Sequence, residues 1–323
     1  SDLMETSCCD RDFAGQAVLF GRRVPPEVPR EKSWRLHLPL LKGLNTVTVL
    51  PAYQNAVHAL ESLGIMPNRM PSLAPIEGAL QASGLLAKVD ASRVIIIAGT
   101  NGKGSTSACL ETLLAATGAR VGLYTSPHLM QTSERIRLSL KDISETHFAA
   151  LFKEIEPLIA EFKLSHFEAL TLMAVSYFFS GKLVAPVDYA IFEVGLGGTF
   201  DATNAIPHKT SVITTLALDH QNILGKNLTS IAQNKFGIIG HDNLVITGRL
   251  PESTKSLLNQ RLEQTRSKHV AQIPFQFSAI KGRDPQFFIQ TDFSKSELPL
   301  PGLRGAENAA TALTTFMALG FDG

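Results

Sequence analysis

Val94-Ile95-Ile96-Ile97-Ala98 runs straight into Gly99-Thr100-Asn101-Gly102-Lys103-Gly104-Ser105-Thr106, and the reading of that junction decides the fold. A short unbroken apolar run, rich in β-branched residues, is the pattern of a strand buried on both faces. The glycines let the next residues curl so that backbone N–H groups point inward. A helix predicted over Ser105–Thr117 adds the positive end of its dipole, and Lys103 adds a mobile cation; together these make a phosphate cradle. A hydroxyl at Ser105 or Thr106 suits Mg²⁺ or a phosphate oxygen. The spacing is not that of the common Walker loop, because Ile97 stands five residues before Gly102 and Gly104 follows the lysine directly. A plain glycine turn is the bland alternative, and it leaves the coincidence of strand, loop, lysine and helix unexplained.

Working outward, strand-like runs recur at Val121–Tyr124, Tyr189–Val194, Ser211–Ala217 and Leu244–Thr247. Helical patterns separate them at Glu145–Glu161, Phe167–Gly181, Ser230–Phe236 and Pro251–Thr265, with Glu307–Leu319 near the end. This alternation predicts an α/β fold, a mostly parallel sheet flanked by helices, with ligands at the carboxyl ends of the strands. Upstream, Tyr53–Leu63 puts Ala56, Val57, Leu60 and Leu63 on one helical face, and Pro67, Pro71 and Pro75 precede a second helix at Ile76–Ser83. Phe275 to Leu300 alternates more and predicts a short β-rich appendage.

Bulk properties narrow the function. Thirty basic residues against 29 acidic give a net charge of +1 in 323 residues, so there is no electrostatic case for nucleic acid or an anionic membrane as partner. Three cysteines, two of them adjacent (Cys8, Cys9 and Cys109), do not form a disulfide framework. No apolar run has the length of a membrane span. The acids interspersed among the early arginines argue against a mitochondrial presequence, so a cytoplasmic location is expected, the mitochondrion not being excluded.

The remaining strand tips carry candidate chemistry. Thr125-Ser126-Pro127-His128-Leu129 and Glu134-Arg135-Ile136 alone read as a turn and a surface ion pair. Glu193 ends an apolar strand, a costly place for an acid unless it is paired or holds a metal; beside a phosphate loop, Mg²⁺ is the better expectation. Gly195-Leu196-Gly197-Gly198 is half a dinucleotide fingerprint, but no glycine-opened helix follows, which discounts NAD. Asp201 and Asn204 read alone as turn residues. Leu218-Asp219-His220 closes the next strand, and Lys235 lies near a helix end, where a helix-dipole partner is the bland reading.

Taken in order, Gly99-Thr-Asn-Gly-Lys-Gly-Ser105, Thr125-Ser-Pro-His-Leu129 with Glu134-Arg135-Ile136, Glu193-Val-Gly-Leu-Gly-Gly198 with Asp201-Ala-Thr-Asn204, and Leu218-Asp-His220 with Lys235 resemble the folylpolyglutamate synthase/dihydrofolate synthase family of the Mur ligase superfamily. The resemblance runs from about Ala52 to the end. It implies an ATP-dependent ligase that converts a folate or dihydropteroate carboxylate to an acyl phosphate and then to an amide with glutamate. It further implies that Thr100, Asn101, Gly102, Lys103, Gly104, Ser105 and Asn308 hold ATP, and that Ser126, Glu193 and His220 bind Mg²⁺. In the same way Lys235 matches a lysine carbamylated in the family, and Ser165, His166, Phe167, Glu168, Phe200, Asp201 and Ala202 line the pterin pocket. Lys103, Lys235 and His220 would carry the chemistry, in a monomer.

Three departures from the family pattern stand out: Thr199-Phe200 in place of Arg-Leu before the aspartate, Phe236 in place of alanine after Lys235, and no clear acidic loop around Leu63–Arg69. The resemblance implies three segments: a variable extension over 1–51, the ATP-binding P-loop ligase domain over 52–299, and the start of a truncated C-terminal domain over 300–323. A catalytically incomplete nucleotide-binding homologue and a Mur-type ligase acting on a peptidoglycan precursor are the alternatives.

Overall fold

In chain order the elements of the computed structural model are α1 (Pro51–Ser62), α2 (Ala74–Ala82), β1 (Val94–Ala98), α3 (Lys103–Ala116), β2 (Val121–Tyr124), β3 (Ile136–Leu138), β4 (Lys141–Asp142), α4 (Glu145–Phe162), α5 (His166–Phe179), β5 (Tyr189–Glu193), β6 (Thr210–Ile213), α6 (Gln221–Leu224), α7 (Leu228–Phe236), β7 (Leu244–Thr247), α8 (Lys255–Thr265), β8 (Lys268–Ala271), β9 (Gln276–Ile280), β10 (Gln286–Gln290), β11 (Lys295–Leu298) and α9 (Gly302–Ala318). The structure describes residues 50–64, 70–280, 286–292, 295–298 and 301–321. The expected extension over 1–51 therefore lies almost wholly outside the described residues, as does most of the Leu63–Arg69 segment.

Eight strands form one sheet in the order β4-β3-β2-β5-β1-β6-β7-β8. From β2 across to β8 the pairing is parallel, and only the short β3 and β4 at the other edge pair antiparallel. Every residue of β1 is buried, as its continuous apolar run requires of a strand covered on both faces. The chain leaves β1 toward β2 and β5 on one side and later crosses to β6 on the other. β1 is thus the switch point of the sheet, where the loops at its carboxyl end diverge and leave a crevice. One face packs α3 and α9 around Ile95, Ile97, Leu110, Leu114, Val212 and Phe316.

Several elements differ from the sequence expectation for identifiable reasons. The strand expected over Ser211–Ala217 ends at Ile213: Thr214 N–H still reaches Ala98 of β1, but the Thr214 hydroxyl, the Thr215 carbonyl and Ala217 N–H are spent on the phosphate loop. β8 is an edge strand whose side chains are mostly exposed, so Lys268-His269-Val270-Ala271 carries no apolar run. β3 and β4 are too short to show a period. The expected appendage is the antiparallel sheet β11-β10-β9. Residues 302–318, assigned from sequence to the start of a following domain, form α9, whose Ala306 and Ala310 are buried against that small sheet.

Candidate active site

The site begins with one carbonyl group. Gly99 accepts from Lys103 Nζ at 3.2 Å and from Lys235 Nζ at 2.8 Å, so two lysines distant in sequence converge on the first residue of the phosphate loop. The loop is braced from the β6 side. Thr100 N–H donates to the Thr215 carbonyl, the Thr100 hydroxyl donates to Ala217, and the Asn101 carbonyl accepts from the hydroxyls of Thr214 (2.6 Å) and Thr215 (3.1 Å). Gly102 has φ +83° and caps α3. A Cβ there would overlap Oδ1 of Asn308 from α9, so only glycine permits both the turn and this close approach. Asn308 thereby reaches the loop from a helix far downstream in the chain. Gly104 and Ser105 sit half-buried in the first turn of α3.

Burial shapes the charges. Lys235 is buried, and desolvation together with the nearby Lys103 ammonium pulls its pKa down to about 8, against the opposing pull of Asp219 and Asp201. Glu193, at the end of β5, is also buried; desolvation pushes its carboxyl above the usual range. Its partners among the described residues are the backbone N–H of Ser126, at 3.2 Å, and that of Gly104, with Lys103 nearby. The β1–β5 and β2–β5 registers bring these groups together, since Ile97 pairs with Glu193 and Tyr124 with Phe192. His220 is placed differently. It is exposed, has φ +46°, starts α6, and holds Nε2 3.6 Å from the Asp219 carboxylate. The structure gives His220 no contact with Glu193 or Ser126.

The loop after β5 is organised by Asp201. Its Oδ2 accepts from the N–H groups of Gly195 and Leu196, both at 3.0 Å; its Oδ1 accepts from Thr203 N–H (3.0 Å) and the Thr203 hydroxyl (2.6 Å). All of that carboxylate's visible bonding is internal to the loop. Ala202 is buried beside it, whereas Phe200 projects with 54% of its surface exposed. Ser165 and Glu168 form a reciprocal capping box at the start of α5, and His166 Nδ1 lies 3.0 Å from the Leu60 carbonyl. Phe167 packs on Tyr124 at 5.7 Å and against Gly195, where a Cβ would collide with its ring. In the next loop Glu134 gathers the N–H groups of Leu129, Met130 and Gln131, leaving Leu129 and Met130 almost fully exposed.

Among the described residues no group of three or more His, Cys, Asp and Glu side chains could hold a metal ion. A protein-only cage is therefore not what Glu193 offers. A single buried carboxylate beside a phosphate loop fits Mg²⁺, which keeps several waters and takes its remaining oxygens from phosphate.

Comparison with known proteins decides what this arrangement belongs to. The chain is 37% identical over 229 residues to the dihydrofolate synthase/folylpolyglutamate synthase of Escherichia coli (strain K12), covering 71% of this chain and 52% of that protein. It superposes on a folylpolyglutamate synthase (FPGS) in complex with AMPPCP and folate with a TM-score of 0.73 and 31% identity, covering 83% of this chain and 67% of that one. The chain belongs to the folylpolyglutamate synthase/dihydrofolate synthase family. A bifunctional folylpolyglutamate synthase/dihydrofolate synthase with Mn, AMPPNP and L-glutamate bound is also similar, with TM-score 0.68, 29% identity, and coverage of 85% of this chain and 64% of that one. No protein-family model matches the sequence. The chain spans about half the length of the curated relatives it matches. Within this family fold, sequence reasoning missed Thr214 and Thr215. Their only signal was a pair of hydroxyls directly after an apolar strand.

Proposed function

We propose that this chain carries the nucleotide-binding half of an ATP-dependent carboxylate–amine ligase that joins a folate or dihydropteroate carboxylate to the amine of glutamate. The observation that carries the reading is the convergence of Lys103 and Lys235 on the Gly99 carbonyl, next to a loop whose Gly104 N–H meets the buried Glu193 carboxylate. The relatives' bound AMPPCP, AMPPNP, Mn, folate and L-glutamate support the same assignment of ligands.

In this reading Gly102 and Gly104 let the loop wrap closely around an anion, and α3 turns the positive end of its dipole toward it. Asn308 closes the loop from α9. Lys103 gives up its two backbone carbonyl bonds for phosphate oxygen and offsets the charge that spreads over a transferring phosphoryl group. Glu193, with Ser126, holds the divalent cation. The substrate carboxylate would take the γ-phosphoryl group of Mg²⁺-bound ATP with ADP leaving, and the glutamate amine would then attack the acyl carbon of that acyl phosphate, expelling inorganic phosphate. A pKa of about 8 leaves roughly a tenth of Lys235 uncharged at pH 7, far more than an ordinary lysine, and only the neutral amine can be carbamylated. Phe167, Phe200 and Ala202 line the apolar side of the carboxylate substrate, with Ser165, His166 and Glu168 behind Phe167. His220 acts from the exposed rim after β6.

The test is ADP release that requires ATP, Mg²⁺, a pteroyl substrate and glutamate together, measured on the chain in its natural full-length form. Lys103→Ala is expected to lower it by at least about 10³-fold, as loss of a main phosphate-binding charge should. Unchanged turnover in that variant sinks the reading.

A further inference from the structure

Lys235 lies close to the end of α7, and several segments of the chain meet at that end. Gly237 is right-handed (φ −59°), so no left-handed residue folds the chain back over the final carbonyls. The chain continues in tight turns in which Gly237, Ile238 and Ile239 donate their N–H groups to Asn234, Lys235 and Phe236, and donors from other segments add to these. Thr199 donates its N–H and its hydroxyl to Asn234, Asn204 donates to Gly237 at 3.4 Å, and Arg261 Nη2 donates to Ile239 at 2.6 Å. His208 reaches Ile238 through Nε2 at 2.7 Å, and the Ser211 hydroxyl meets the same oxygen at 3.0 Å. Gly237 itself must be glycine, since a Cβ there would overlap the Thr199 side chain.

His208 stands out in this set because both of its ring nitrogens face carbonyl oxygens. Nδ1 lies 2.8 Å from Ile206, at the end of the loop organised by Asp201, and Nε2 lies against Ile238, three residues past Lys235. A neutral imidazole has one N–H, so only a doubly protonated ring donates to both. Burial, the largest influence, together with the neighbouring Lys209 holds its pKa below the ordinary value despite the two carbonyls, which favours the neutral ring with one N–H aimed at one carbonyl or the other. Either way the ring fills the space between the two segments.

We infer that His208 is a positioning residue that clamps the loop around Asp201 to the end of α7, and so holds Lys235 against the phosphate loop. The inference rests on Lys235 being functional, but its readout is the placement of that lysine and not turnover. Two substitutions split the clamp. The amide nitrogen of glutamine stands where Nε2 stands, so His208→Gln offers a donor to Ile238 and none to Ile206. The amide nitrogen of asparagine stands where Nδ1 stands, so His208→Asn keeps Ile206 and releases Ile238.

The experiment compares the acetylation rate of Lys235 with that of exposed Lys182 in the same sample, by mass spectrometry, alongside the Kd for AMPPCP. His208→Asn is expected to speed labelling of Lys235 by about fivefold or more and to weaken AMPPCP several-fold. His208→Gln is expected to stay within about twofold of the parent in both. Equal behaviour of the two variants, or a lowered melting temperature with Lys235 labelled at the parent rate, overturns the clamp. Should the asparagine variant fail to fold, Ser211→Ala, which removes the other donor to Ile238, must raise Lys235 labelling measurably, and no rise likewise overturns it. If Lys235→Ala retains full turnover, the proposed function loses its lysine while the labelling result still stands.

Discussion

Glu193 and Asp201 are buried carboxylates eight residues apart on one strand-to-loop segment; burial raises the pKa of both, but their hydrogen bonding differs sharply. Asp201 accepts four hydrogen bonds, all from residues 195–203. Glu193 accepts only the N–H groups of Ser126 and Gly104 among the described residues, and faces a lysine that is itself engaged with backbone. A carboxylate whose lone pairs are filled by its own loop is a staple. One that is desolvated and left short of donors costs stability unless a ligand completes it. On the proposed function, the difference assigns ligand binding to the tip of β5 and a structural role to Asp201 in the glycine-rich loop after it.

The contrast breaks most visibly at Asp201. In Asp201→Asn the incoming amide N–H₂ would face two of the present donors, leaving buried groups opposed. A loss of roughly 3 kcal/mol is expected, seen as a fall of about 10 °C in melting temperature. Glu193→Gln should do the reverse. Metal-dependent turnover is expected to fall by about 10²–10³-fold, while the melting temperature without ligand holds or rises, because a penalised charge has been removed. If both variants simply lose stability, Glu193 is a second staple and the contrast fails.

A pH series sharpens the same point with a smaller effect. The folded-state pKa of Glu193 is raised by burial, so its stabilising contribution is fully present below the unfolded value and is lost as pH rises through the folded one. The parent should therefore lose more stability than Glu193→Gln as pH climbs from about 4 toward neutrality. Denaturant titrations at several pH values measure the gap, and parallel curves would remove Glu193 from the account.

Much of this contrast was legible in the sequence, but not all. Glu193 announces itself, because an acid closing Tyr189-Ala190-Ile191-Phe192 needs a reason to be there. The loop Gly99–Ser105 is likewise readable, since glycines, a lysine and a following helix are local in sequence. Asp201 reads alone as a turn residue, and its four internal bonds show how completely it serves one. What could not be read depends on distant segments. The docking of Thr214 and Thr215 under Asn101, the approach of Asn308 to Gly102 and the convergence of Lys235 on Gly99 are set by strand order, and no local pattern encodes them. His220 is the converse case: its motif is conspicuous, yet the side chain stands exposed beside Asp219.

The smallest effect tests how closely the loop is fitted to Glu193. Gly104 lies within α3 and its φ is not positive, so alanine meets no backbone strain there. Its Cβ would stand 3.4 and 3.5 Å from the two carboxylate oxygens of Glu193, close enough to crowd a ligand but not to clash. Exchanging glycine for alanine in a helix contributes up to about 1 kcal/mol of stability. Gly104→Ala should therefore leave the melting temperature equal or slightly higher while weakening Mg²⁺-dependent nucleotide binding several-fold, as calorimetry with AMPPCP and Mg²⁺ would register. The expected signs match those of Glu193→Gln at lower amplitude, because both changes act on the same buried carboxylate. Undiminished binding in Gly104→Ala would mean that the cation sits elsewhere and that the donors missing at Glu193 come from solvent.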